Sequence, residues 1–158
     1  MDERVLREQL AIALRGGEAH AGWRAILRGV PEALRGKRPR GLPHSPWELL
    51  EHLRIAQCDI LEFCRDAGHV SPSFPQGYWP PKPAPPSASA WTKSLRAFAA
   101  DLEAMVGLVL DPARDLTAPI PHGQGQTLMR EALLVVDHNA YHLAQMVATR
   151  QWLGAWRE

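Results

Sequence analysis

Trp91, Leu95, Phe98, Leu102, Met105 and Val109 recur at alternating steps of four and three between about Ser89 and Leu110. Only an α-helix with one buried face brings that spacing to a single side. The same logic extends along the chain. Ser45-Pro46-Trp47-Glu48 reads as a helix start: Ser45 can cap, Pro46 suits the first turn, and Glu48 sits where a capping box needs it. From there to about Asp66, Leu49, Leu53, Ala56, Ile60 and Phe63 form a buried stripe that His52 borders, with Glu51, Arg54, Glu62 and Arg65 turned away.

A first helix is expected over about Glu3–Leu14, carrying Val5, Leu6, Ile12 and Ala13, and broken by Gly16-Gly17. A second helical stretch is expected over about Glu18–Leu34, where Ala19, Trp23, Ile26 and Val30 keep the helical period and Pro31 bends or ends it. Thr127 is placed to cap a last helix running to about Gly154. That helix is apolar nearly all round. Leu134, Val135, Met146 and Leu153 lie near one face, and Met129, Leu133, Val136 and Val147 lie opposite or beside it. Such a helix is central, or shared with a second copy of the chain, so a homodimer is expected, with Trp152 and Trp156 near the contact.

The fold class is therefore all-α. Between Ser71 and Pro86, seven of sixteen residues are proline, which excludes regular helix and favours a stiff, extended crossover. Phe74, Tyr78 and Trp79 make it too apolar for a free linker, so it is expected to pack across the domain or over a pocket mouth, with packing favoured about two to one over a lid. The 158 residues suit a single domain, enough to bury roughly 70% of the unfolded chain's surface. Eighteen basic and seventeen acidic residues leave a formal charge of +1, so no field marks the chain for nucleic acid or an anionic membrane. The basic run Arg35–Gly41 reads as a solvated loop. Cys58 and Cys64, six apart in one helix, point to different sides and read as small core residues. Together with an N-terminus lacking a secretory pattern and the lack of an apolar run of bilayer length, this favours a cytoplasmic location.

Candidate chemistry lies in the histidines. His138 and His142 are four apart on the last helix, about 40° from one another in projection, and Glu131 and Gln145 fall within about 20° of His138. Two such imidazoles can share a cation, though a single histidine on an apolar face is more often a hydrogen-bonded core residue. His52, facing the interior from another helix, makes a third. Three neutral imidazoles with open positions are a catalytic type of site for a divalent metal, whereas closed structural sites normally have four ligands. Zinc or nickel is expected foremost, with iron and manganese also accepted.

Glu131, Asp137, Glu48 and Asp59 are the carboxylates that could receive an imidazole N–H. His20 borders an apolar stripe and reads as a packed or capping histidine, with a fourth ligand or a pocket base as the alternative. His44, His69 and His122 fall in loops and are expected in solvent, with a reach of His122 toward a substrate, ahead of the last helix, as the lesser alternative. Asn139 stands where a zinc peptidase of the His-Glu-x-x-His type would carry its glutamate, and there is no phosphate-cradling glycine loop, Cys-x-x-Cys pair or nucleophile elbow.

Ser45-Pro46-Trp47-Glu48-Leu49-Leu50-Glu51-His52-Leu53, followed far downstream by Asp137-His138-Asn139-Ala140-Tyr141-His142-Leu143-Ala144-Gln145, resembles the DinB-like superfamily over nearly the whole chain. The resemblance implies a four-helix bundle with a long proline-rich crossover between the second and third bundle helices, and a divalent metal on His52, His138 and His142. It also implies kinship with transferases and isomerases that use a low-molecular-weight thiol. Two departures stand out: Gly16-Gly17 splits the first helix, and the crossover is long and aromatic. The expected function is a metal-dependent, thiol-transferase type of enzyme acting on a small molecule, with Glu131 or His20 moving protons and Gln145 beside the bound cofactor. The alternatives are a non-catalytic metal-binding stress or sensor protein and a metal-free interaction module.

Overall fold

The structure, a computed structural model, describes residues 2–156. Among them it contains five α-helices, α1 (Glu3–Arg15), α2 (Trp23–Arg28), α3 (Pro46–Arg65), α4 (Ala90–Leu110) and α5 (Leu128–Trp152). Two short 3₁₀ turns, Glu32–Leu34 and Gln76–Tyr78, punctuate the connections. The described residues form no strand, only one isolated bridge between Pro119 and Thr127. None of these helices is long and apolar enough to cross a membrane.

The four long helices close into a bundle in which α3 and α1 each pack against both α4 and α5, while α2 rests on α5. Cross-contacts give the directions. Gln57 meets Phe98 and Glu51 meets Ser94, so α3 and α4 run parallel. Arg7 meets Val109 and Arg15 meets Glu103, so α1 opposes α4. His52 meets His142 while Phe63 meets His122, so α3 opposes α5. Parallel α3 and α4 oblige the connection between them to travel the length of the bundle, about 30 Å for a helix of this size. The proline-rich segment is stiff and extended enough to do it.

Local signals explain the boundaries. Both halves of the Ser45–Glu48 capping box are formed, the Glu48 N–H donating to Ser45 Oγ at 3.2 Å and the Ser45 N–H to Glu48 Oε2 at 2.8 Å. Thr127 Oγ1 accepts from the Arg130 N–H and starts α5 as expected. The expected helix over Glu18–Leu34 is corrected to the six residues of α2 plus a 3₁₀ turn. Gly16 and Gly17 take positive φ of 63° and 91°, which carries the chain out of helix before Ala19, and Gly22 restarts it. Trp23, Ile26 and Val30 are still buried. On α1 the inward face is Leu10, Ala11 and Leu14 with Arg7, whereas Val5 and Ile12 are about two-fifths exposed, at 41% and 43%. The docking of α1 against α4 and α5 selects that face over the one the apolar residues alone suggested.

The crossover packs as expected at Trp79, partly buried against the core, and the exposed Pro83 is tied down by its carbonyl, which accepts from Ser45 Oγ at 2.5 Å. Phe74 departs from the expectation and is 86% exposed. Gly36 allows close approach here, since a Cβ on it would stand 2.6 Å from that of Ala84. In the basic loop, Arg38 pairs with Glu48 and Arg35 lies over the Trp91 ring. Cys58 and Cys64 are free thiols, and burial, with the charge of Glu131 second, pushes Cys64 up to about 12.

Two buried arginines secure helix ends. Arg7 donates to the carbonyls of Val109 at 2.7 Å and Asp111 at 2.9 Å, and to that of Arg114, satisfying acceptors where α4 stops. Arg150 does the same for α2 through Ala25, Ile26 and Gly29 while stacking over Trp156. An Arg7→Met substitution strips donors from buried carbonyls and is expected to cost about 3 kcal/mol in urea unfolding at pH 7. An unchanged unfolding midpoint would contradict this account of the α4 terminus.

Candidate metal centre

Antiparallel packing of α3 and α5 sets His52 opposite two successive turns of α5. The atoms that meet are ring nitrogens of one kind. His52 Nε2 lies 3.0 Å from His142 Nε2 and 3.1 Å from His138 Nε2, and the three residues present one nitrogen each within 4.8 Å of one another. Two ligands at 2.0–2.1 Å from one cation, about 90–110° apart, would be separated by about 2.9–3.4 Å. The observed spacing falls within that range.

The outer ring nitrogens decide what the inner ones can be. His52 Nδ1–H donates to the Tyr78 carbonyl at 2.9 Å, and His142 Nδ1–H donates to Gln145 Oε1 at 2.8 Å. A neutral imidazole has one proton, so the Nε2 atoms of both rings carry bare lone pairs aimed at each other. Such a pair repels unless a proton or cation stands between. The proton is disfavoured by the surroundings. Burial first, and the neighbouring imidazoles His142 and His52 next, hold His138 down at about 4, against a smaller upward pull from the Asn139 side chain. Burial also holds His142 at about 4 and lowers His52. His138 Nδ1 is buried with no aligned partner. Neutral imidazoles with converging lone pairs fit a divalent cation well.

Around this core the crossover forms a wall. The Trp79 indole stacks on His52 with centroids 4.0 Å apart and planes within 1°, and His44 stacks on Trp79 at 4.0 Å. Tyr78, whose carbonyl orients His52, is anchored by its hydroxyl donating to Asp59 Oδ2 at 2.6 Å, and His69 donates to the other oxygen of Asp59 at 2.7 Å. Burial and the Asp59 charge push the Tyr78 phenol up to about 12, so it stays a donor.

The structure sorts the sequence candidates. His52, His138 and His142 come together, and Gln145 joins them as the acceptor that turns His142 rather than at a ligand position. Glu131 shares their face but lies seven residues before His138, about 10 Å along the helix, and its carboxylate is paired with Arg130. His20 falls in the exposed loop ahead of α2, donating to the Ala21 carbonyl, because the glycines end the helix that would have turned it inward. Of the other carboxylates, Glu48 is spent on the α3 cap and Arg38, Asp137 is exposed, and Asp59 acts only through Tyr78. Oxygen atoms of an amide and of the main chain take the place expected for carboxylates. His44 was expected in solvent and is half-buried against Trp79, with burial lowering its pKa. His122 donates to the Phe63 carbonyl and is exposed. The Tyr78 carbonyl, Trp79 and His44 were missed as site residues; the one sequence signal for them was the aromatic content of the proline-rich segment.

With the fold and the three-histidine cluster in view, the profile of the DinB superfamily matches residues 17–146, most of the chain. The chain belongs to that superfamily. No curated protein and no solved structure matches it.

Because the folded state keeps His138 and His142 neutral to about pH 4 while an unfolded chain takes up protons near 6.5, acid favours unfolding. Stability of the metal-free protein is full above pH 6.5 and declines as pH falls toward 4. Thermal melts in chelator across that window are expected to show a falling Tm, with a shallower fall in His138→Gln; equal slopes would count against buried neutral imidazoles.

Proposed function

We propose that the protein is a divalent-metal enzyme in which His52, His138 and His142 hold the ion, and that it transfers a small-molecule thiol or water to an electrophilic substrate. The observation that carries the reading is the convergence of three Nε2 atoms, two of which have their other ring nitrogen already committed as a donor. Three protein ligands leave coordination positions for an exogenous group, the arrangement of catalytic rather than structural sites. When bound, the ion lowers the pKa of a coordinated thiol or water and so supplies thiolate or hydroxide near neutral pH.

The chain's own groups divide the remaining work. The Tyr78 carbonyl and Gln145 fix the tautomers and tilts of His52 and His142. Trp79 shields one face of His52 from solvent. Among the described residues no carboxylate joins the three histidines, which favours a pre-ionised nucleophile over one deprotonated by an adjacent Asp or Glu. We place the protein in the cytoplasm on the free state of Cys58 and Cys64.

His138→Ala is expected to abolish stoichiometric zinc or nickel binding in titration calorimetry while the circular dichroism of the metal-free protein is retained. Full occupancy in that variant would sink the ligand assignment. Metal-loaded protein screened with low-molecular-weight thiols and electrophiles is expected to consume thiol. Stable metal binding with a large rise in Tm but no turnover on any pair would instead favour a non-catalytic metal-binding role.

Homodimerisation belongs to the same proposal. It is supported by Leu133, Tyr141 and Trp152, which stand 49%, 62% and 71% exposed on α5. Sedimentation at micromolar concentration is expected to give a dimer, and Tyr141→Glu a monomer; a wild-type monomer would refute the association.

A further inference from the structure

Gln57 and Asn139 form a polar chain inside an otherwise apolar interior. Gln57 is fully buried and Asn139 is 6% exposed. Gln57 Nε2 donates to the Phe98 carbonyl at 2.7 Å, and Asn139 Nδ2 donates to Gln57 Oε1 at 2.9 Å. The sense of this chain is fixed at its α4 end. A main-chain carbonyl only accepts, so Gln57 must turn its NH₂ toward α4 and its oxygen toward α5. Asn139 must then offer its NH₂ to Gln57, which leaves Asn139 Oδ1 over.

That oxygen is buried without an aligned partner, and so is Nδ1 of the preceding residue, His138. The two are complementary. Whenever His138 Nε2 directs its lone pair at a cation, the ring proton is on Nδ1 and needs an acceptor. His52 has the Tyr78 carbonyl and His142 has Gln145 for this purpose; His138 alone lacks one. His138 and Asn139 are consecutive residues of α5, and both orphaned atoms are buried.

We propose that Asn139 is the positioning residue of His138, its Oδ1 accepting the Nδ1–H once the centre closes, with Gln57 and the Phe98 carbonyl setting the direction of the amide. The inference rests on the metal reading above. A purely structural role explains the pair less well, because replacing both partners of a buried hydrogen bond by apolar groups of similar shape is nearly neutral.

The test uses cobalt(II) as the probe, with affinity measured by chelator competition and geometry by the visible absorption of the bound ion. Asn139→Leu is expected to weaken cobalt binding roughly 10- to 100-fold and to alter the absorption bands, with a lower Tm of the metal-free protein because Gln57 Oε1 loses its donor. Asn139→Asp, which keeps an oxygen acceptor for His138 but offers Gln57 Oε1 no donor, is expected to bind cobalt more tightly than Asn139→Leu and to keep the wild-type bands. Gln57→Leu with Asn139→Leu removes both partners of the buried bond, is expected to keep the metal-free Tm near that of the wild type, and is expected to bind as weakly as Asn139→Leu. Wild-type affinity and spectrum in Asn139→Leu or in the double variant overturn the inference, as does equal loss in the Asp and Leu variants. A wild-type protein that takes up no cobalt overturns the metal reading and this inference with it.

Discussion

The hydrogen bond from His52 Nδ1 to the Tyr78 carbonyl joins the two dissimilar parts of the molecule, a helical bundle and an extended crossover. Without it, His52 would be a buried imidazole free to choose its tautomer. With it, the ring has one proton position, one orientation, and a bare Nε2 pointing at α5. The crossover thus contributes a directional acceptor from outside the four long helices, at the end of the Gln76–Tyr78 turn. The Asp59–Tyr78 contact and the Trp79 stack exist at the same place and hold that carbonyl where His52 needs it.

Desolvation and geometry act together at the centre. Burial alone would lower the imidazole pKa values and leave three neutral rings in a core. Geometry alone would bring three lone pairs within about 3 Å, which is unfavourable without a positive charge among them. Their combination makes a site that stays unprotonated over the neutral range and is compatible with a divalent ion. The same economy governs Arg150, a buried charge met by main-chain carbonyls at a helix end, and Arg7 combines such carbonyls with an ion pair to the exposed Glu3.

Much of this was legible in the sequence because it is periodic. The Trp91–Val109 stripe, the Ser45–Glu48 box and the His138/His142 spacing are each local patterns that tertiary packing only confirms. What escaped was whatever depends on non-local partners. The glycines at 16 and 17 were visible, but that they would unwind the chain as far as Gly22 was not. A main-chain carbonyl has no sequence signature, so Tyr78 could not be read as the partner of His52. Carboxylates were the natural candidates, and each was taken up by a nearer cation, a helix cap, a hydroxyl or solvent. The site residues on helices were therefore found, and those on the crossover were not.

The contacts of His52 with His138 and His142 span 86 and 90 residues of chain. Closing them fixes a loop that contains the whole crossover, α4 and the approach to α5. In the unfolded ensemble such a closure is entropically expensive, and the cost grows only slowly with further length. An ion bridging the two ends, as proposed for the three histidines, would act as a reversible long-range clasp, comparable in topology to a disulfide but set by ion availability instead of redox poise. Insertions in the enclosed crossover would weaken that clasp little, which leaves the segment that walls the site comparatively free to vary in length.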